Sequence, residues 1–153
     1  MVKRQSSAPP WASAEYQLEL TVCEADVDAL RHVNNIVYVR WLQDVAMAHS
    51  IAVGVTHAWL LELGAVFVVR KHEIEYLRPG FLGERITLRT YVTWWKGASC
   101  ERATRIERAS DGVTLAKAKT LWAFVTADAG RPTRIPAEVM EAFKRPTMPP
   151  QSP

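Results

Sequence analysis

Two periodicities organise the chain. From Tyr16 to Cys23, apolar Leu18, Leu20 and Val22 alternate with polar Gln17, Glu19 and Thr21, the period-two pattern of a strand with one buried face. From about Asn35 to Val53 there is no Gly or Pro, and Val39, Leu42, Val45, Ala46, His49 and Val53 recur at helical spacing. Trp41, Ala48 and Ala52 widen that apolar surface and leave a narrow polar stripe at Arg40, Gln43 and Asp44. The pattern therefore predicts a long helix buried on most sides, ended by Gly54. A short helical piece over His57–Leu63 stops at Gly64. Four strand-like segments follow, at Ala65–Tyr76, Arg85–Lys96, Ala98–Ala109 and Val113–Thr126. Their connections are Arg78-Pro79-Gly80, a tight Gly97, and Asp111-Gly112, a strong hairpin signal.

Long consecutive strands joined by turns predict an antiparallel sheet. The order strand, long helix, four strands predicts an α+β domain in which a five-stranded antiparallel sheet wraps a central helix. Val66, Phe67, Val68 and Val69 run without alternation, and Trp94-Trp95 puts rings on both sheet faces. Strands of that kind are covered on both sides, yet one long helix covers one side only, so a second subunit is expected against the other.

Composition narrows the possible functions. The 153 residues are 48% hydrophobic and 23% charged, ordinary for one globular domain. The net charge of +3 comes without a clustered basic face, so nucleic acid is not an expected partner, whereas a phosphorylated small molecule is. Cys23 and Cys100 form no paired motif and are expected as free thiols in a reducing compartment. After Met1-Val2-Lys3-Arg4 no apolar signal core follows, and no window approaches the roughly 18 apolar residues of a membrane span. A cytoplasmic protein without membrane contact is the expectation. Ser/Pro/Ala-rich residues 1–13 and Pro-rich residues 146–153 are expected as disordered tails around a single domain, residues 14–145.

The candidate chemistry lies in Asp26-Val27-Asp28-Ala29-Leu30-Arg31-His32-Val33-Asn34-Asn35, just before the long helix. A helix start gathers unpaired N–H groups and partial positive charge, so a carboxylate and an oxyanion site can be built there together. That combination suits hydrolysis of an activated acyl compound. Asp28 can form a turn, but it stands seven residues before the helix, too far to cap it. Asp26 is expected to be solvated at the end of the strand. At least one of Asn34 and Asn35 is expected to cap the helix. A metal is not expected, because no short-range ligand pair sits on a regular element.

The segment Asp28-Ala29-Leu30-Arg31-His32-Val33-Asn34-Asn35-Ile36-Val37-Tyr38-Val39-Arg40-Trp41 resembles the opening of the 4-hydroxybenzoyl-CoA thioesterase family of hotdog-fold proteins. Glu73-Ile74-Glu75-Tyr76-Leu77-Arg78-Pro79-Gly80 is similar to that family's strand and turn after the helix. Ala116–Val125 resembles its last strand, and Gly130-Arg131-Pro132-Thr133-Arg134-Ile135-Pro136 its exit into a C-terminal helix, here Ala137–Lys144. The likeness spans about residues 16–144. It implies a hotdog fold, dimerised edge to edge and often paired again into a dimer of dimers. It also implies hydrolysis of acyl-CoA in a cleft between subunits, without a metal. Coenzyme A would be part of the substrate, so no cofactor is expected.

The resemblance places the family's catalytic carboxylate on Asp28. Such a carboxylate can act as general base toward water, a gain of roughly 10²–10⁴-fold, or attack the thioester itself. His32 is expected to orient the loop, to bond Asp28, or to be a structural histidine. Asn34 and Asn35 belong to the same candidate site. Backbone N–H groups near Asn35 and Ile36 would face the oxyanion, each worth roughly 2.7–4 kcal/mol. Tyr38 and Trp41, one turn apart, are candidates for the acyl pocket, with core packing as the alternative. Arg70, Lys71, Arg78 and Lys96 are candidates for the CoA phosphates. Rival readings are a thioesterase acting on acyl carrier protein, a hydratase, and a non-catalytic acyl-CoA-binding module.

Overall fold

The structure, a computed structural model, describes residues 12–147. Strand β1 (Tyr16–Thr21) leads through a 3₁₀ turn (Glu24–Asp26) and a hairpin-like loop to helix α1 (Asn35–Ala52). Helix α2 (His57–Glu62) is followed by β2 (Ala65–Tyr76), β3 (Arg85–Lys96), β4 (Ser99–Arg108), β5 (Thr114–Thr126) and helix α3 (Ala137–Phe143). All pairings are antiparallel and the spatial order is β1-β3-β4-β5-β2, leaving β1 and β2 as the two rims. The predicted elements are all present, with ends shifted by one or two residues. At the β4–β5 hairpin, Gly112 takes φ +71° and the Arg108 guanidinium closes the turn on the Asp111 carboxylate.

The sheet curls around α1 because its inward positions are small or aliphatic. Tyr38, Trp41, Leu42 and Val45 of α1 bury against Ile86, Leu88, Ile106, Ala116 and Ala118. Register puts Leu88 opposite Ile106, and Ile106 opposite Ala116, so the contact runs straight across three strands. Leu88 and Ile106 are fully buried, and truncating either to Ala is expected to cost about 2–5 kcal/mol. A second cluster gathers at the far end of α1, where Val53, Val55 and Leu60 meet Val92, Cys100, Phe124, Val139 and Phe143. No helix among the described residues is long and apolar enough to cross a membrane.

Two expectations are corrected here. In the middle of the sheet the face turned away from α1 is charged rather than apolar: Arg89 bonds Glu107 at 3.1 Å and Lys117 meets Glu75 at 3.5 Å. Glu107 is held almost fully buried by its arginines. Val68, from the apolar run in β2, is 38% exposed. Further exposed apolar side chains lie on α1 (Ile36, Met47, Ile51), at α2 (Leu61, Leu63) and around the loop before α1 (Leu30, Tyr76, Leu77, Phe81, Leu82). Ser13 was expected in a tail, yet it is 3% exposed and its Oγ accepts from Val92 N–H at 2.7 Å. Residues 1–11 and 148–153 of the expected tails lie outside the described residues.

Candidate active site

The loop before α1 is a small hairpin. Asp28 N–H donates to His32 O at 3.0 Å, Val27 bridges Val33, and Asn34 N–H donates to Asp26 O at 2.8 Å. Its tip holds Arg31 at φ +63°, a left-handed conformation uncommon for a residue with a side chain. Val33 N–H donates to Gly80 O at 2.8 Å and His32 bridges Phe81, tying the hairpin to the β2–β3 connection. Gly80 fits because a Cβ there would stand 3.0 Å from Val33 Cγ2 and 3.3 Å from the Tyr38 hydroxyl.

The two acids of this hairpin play different parts. Asp26 is not solvated: it is 3% exposed and accepts from Cys23 N–H, Cys23 Sγ and the Arg40 guanidinium. Burial pushes its carboxyl up, but these donors outweigh burial and hold it below the usual range. Asp28 is exposed, and one of its oxygens accepts from Leu30 N–H at 2.9 Å, an Asx turn. Its second oxygen has no partner among the described residues.

Asn34 caps α1, its Oδ1 accepting from Ile36 N–H at 3.1 Å. Ile36 N–H is thereby occupied, while Asn35 N–H has no partner among the described residues. Asn35 O accepts from the Tyr76 hydroxyl at 3.0 Å. The His32 ring packs edge-on against Phe81 (centroids 5.2 Å apart), with no side-chain hydrogen bond to Asp28. Around the unpartnered Asp28 oxygen and Asn35 amide stand Leu30, Ile36, Tyr76 and Phe81, exposed by 42–76%. Within one chain Asp28 and Asn35 line neither of the two large cavities.

Tyr38 and Trp41, each 2% exposed, pack with one another at 5.3 Å and lie in the core rather than in an open pocket. Of the basic candidates, Arg78 is exposed beside Leu77, next to this apolar rim. Arg70 sits at the β-bulge of β2 and Lys71 just after it. Lys71 lies five residues from Tyr76, about 17 Å along the strand. Lys96 lies at the end of β3.

Sequence reasoning missed a second polar cluster, at the far end of α1. Arg102 of β4 is 5% exposed, and one Nη donates to His49 Nδ1 at 2.9 Å and to Thr90 Oγ1 at 3.2 Å. Because Nδ1 accepts, the His49 proton resides on Nε2, which is buried without a partner. Burial and then the neighbouring Arg102 push His49 down to about 3, so its ring is neutral. Burial also pushes the Cys100 thiol up to about 12, leaving it protonated. Arg102 and Trp122 line a cavity of about 370 Å3 between α1, α2 and the sheet. The signal for Arg102 was strand parity: Cys100, Arg102, Thr104 and Ile106 share one face of β4.

A five-stranded antiparallel sheet curled around one buried helix, with an acid-bearing hairpin at the helix start, defines a hotdog-fold thioesterase architecture. The chain belongs to the thioesterase-like superfamily, whose family pattern matches residues 22–143. No curated protein matches it significantly. Among solved structures it is similar to a 1,4-dihydroxy-2-naphthoyl-CoA thioesterase from Synechocystis (15% identity, TM-score 0.78, covering 85% of this chain and 96% of that one). It is also similar to a mutant 4-hydroxybenzoyl-CoA thioesterase in complex with 4-hydroxybenzoyl-CoA (17% identity, TM-score 0.79, 86% and 99% covered). A third is a probable thioesterase from Bartonella henselae (25% identity, TM-score 0.72, 80% and 100% covered). Among the described residues no group of side chains is arranged to hold a metal ion.

Proposed function

We propose that this protein hydrolyses acyl-CoA thioesters, with Asp28 as the catalytic carboxylate and the start of α1 as the oxyanion site. The observation that carries this reading is that an Asp28 oxygen on the hairpin and the Asn35 N–H that opens α1 at the hairpin's end are both left without partners among the described residues. Hydrogen-bonding capacity left open at a helix start fits a carbonyl oxygen that gains charge. Superfamily membership, and the acyl-CoA thioesterases among the structural neighbours, supply the substrate class. Asp28 would deprotonate water or attack the carbonyl directly, the oxyanion would sit on Asn35 N–H, and the thiolate of CoA would leave. Among the basic candidates Arg78, exposed beside Leu77, is the first choice for a CoA phosphate; Arg70 and Lys71 are better suited to an extended contact along β2.

The exposed rim of Leu30, Ile36, Tyr76 and Phe81 supports a homo-oligomer in which a second copy supplies the missing wall of the cleft. The test is CoA release from a panel of aromatic and fatty acyl-CoA substrates, with acyl carrier protein thioesters in parallel. Asp28→Asn is expected to lower turnover by roughly 10²–10⁴-fold without changing the unfolding midpoint. Turnover by a folded Asp28→Asn protein within about tenfold of wild type would remove Asp28 from the chemistry.

A further inference from the structure

The cavity at the far end of α1 contains polar groups for which the thioester chemistry has no use. Met47, Ile51, Phe67 and Phe143 make its walls apolar, and Arg102 and Trp122 stand among its lining residues. Arg102 is a buried cation whose protein partners, His49, Thr90 and the Phe143 ring at 5.7 Å, are all neutral; no carboxylate among the described residues meets it. Burying a charge without a counter-ion is costly, and native proteins pair such charges. The Trp122 indole N–H is likewise buried without an acceptor. Arg102 lies opposite Thr120 and Cys100 opposite Trp122, so the two donors are diagonal neighbours on one face of the sheet.

Two unsatisfied donors in an apolar cavity call for an acceptor that carries one negative charge. A carboxylate balances a single guanidinium and can accept from it in a fork, whereas a phosphate dianion would require more cationic charge than this pocket holds. At about 370 Å3 the cavity is near the small end of ligand pockets, roughly 300–1,000 Å3. That volume suits one ring or a medium-length alkyl chain. We infer that this cavity binds a small apolar carboxylate, its head on Arg102 and the Trp122 N–H and its body against Met47, Ile51 and Phe143. The inference goes beyond the thioesterase reading. Gln43, the first α1 residue of the lining, lies eight residues from Asn35, about 12 Å along the helix. The occupant is therefore a free acid, or the distal carboxylate of an acyl chain still joined to its thiol.

Calorimetric titration of octanoate and of octan-1-ol into the full-length protein tests the site. Octanoate is expected to bind at least about tenfold tighter than the alcohol, because only the anion balances the guanidinium charge. Arg102→Met is expected to lower octanoate affinity by at least about tenfold and leave the alcohol unchanged. Trp122→Phe keeps a ring, removes the N–H, and is expected to weaken octanoate alone by about threefold or more. It decides the matter should Arg102→Met not fold. Equal binding of acid and alcohol by wild type, or unchanged octanoate affinity in either folded variant, overturns the inference. Competition against bound octanoate then separates the two sources: suberoyl-CoA displaces it and octanoyl-CoA does not if the ligand is a distal carboxylate, and neither does if it is a free acid. Asp28→Asn is expected to bind octanoate as wild type does, so the outcome stands apart from any result on turnover.

Discussion

The two ends of α1 solve opposite problems with the same kinds of side chain. At its start, Asp26 and Asn34 turn inward to hold the hairpin and cap the helix, and the groups left over, Asp28 and Asn35 N–H, face outward. At its far end, Arg102 and His49 are buried and Trp122 partly so, and the capacity left over, on the buried Trp122 Nε1 and His49 Nε2, faces inward. Polar groups at the start are satisfied by neighbours within a few residues and by Arg40, fourteen positions on, while those at the end rely on strands brought together from across the fold. Free bonding capacity therefore marks both places, but only the first is exposed to solvent in the isolated chain.

Acid should separate the two ends most sharply. His49 is neutral in the folded protein because burial and Arg102 depress it to about 3, whereas in the unfolded chain it titrates near its ordinary value, about 6.5. Between those values the unfolded chain binds a proton that the folded one refuses, so stability must fall as pH drops below about 6.5. The slope approaches about 1.4 kcal/mol per pH unit. Urea midpoints measured from pH 7 to 4.5 should show this fall in wild type and a flatter profile in His49→Gln. Equal slopes would mean that the far end of α1 contributes nothing to acid sensitivity. Asp26 acts lower: its depressed carboxyl adds stability above its unfolded pKa, lost as pH falls through the folded value.

At the helix start, Asp26→Ala removes an acceptor shared by Cys23 N–H, Cys23 Sγ and Arg40. Arg40 is half exposed, so most of the loss is expected from the stranded backbone amide and the empty space, about 2 kcal/mol by urea unfolding. Turnover should fall with it, because the hairpin that carries Asp28 hangs on this acid. A variant with full stability and full turnover would show that the hairpin holds itself. The smallest effect is expected from Asn34→Ala, which loses the cap to Ile36 N–H and about 1 kcal/mol. Asn34→Asp should restore that stability, since an anion also suits a helix start.

Period and turn chemistry made the fold legible. The Gly- and Pro-free run to Val53 is α1, and Asp111-Gly112 lies in the β4–β5 turn. Strand alternation also held the charged outer face in plain view: Lys117 and Lys119 alternate with Ala116, Ala118 and Thr120. The apolar run Val66–Val69 and the Trp94-Trp95 pair, both near strand ends, outweighed that signal. Asp26 and Asp28 were not separable locally, being two residues apart with the same parity. What divides them is Arg40, fourteen positions on and brought back by the hairpin. Arg102 was hidden for the same reason: its burial depends on the pairing of β3, β4 and β5 and on a helix residue, His49, distant in sequence.

An imidazole lone pair and a hydroxyl anchor the Arg102 guanidinium, and neither is an ion that dissolved electrolyte can replace. Raising the ionic strength should loosen surface contacts such as Arg85 with Glu19 and Lys117 with Glu75, which lie within reach of screening ions. The bonds that hold the interior cation to His49 and Thr90 should keep their strength where those of the outside weaken.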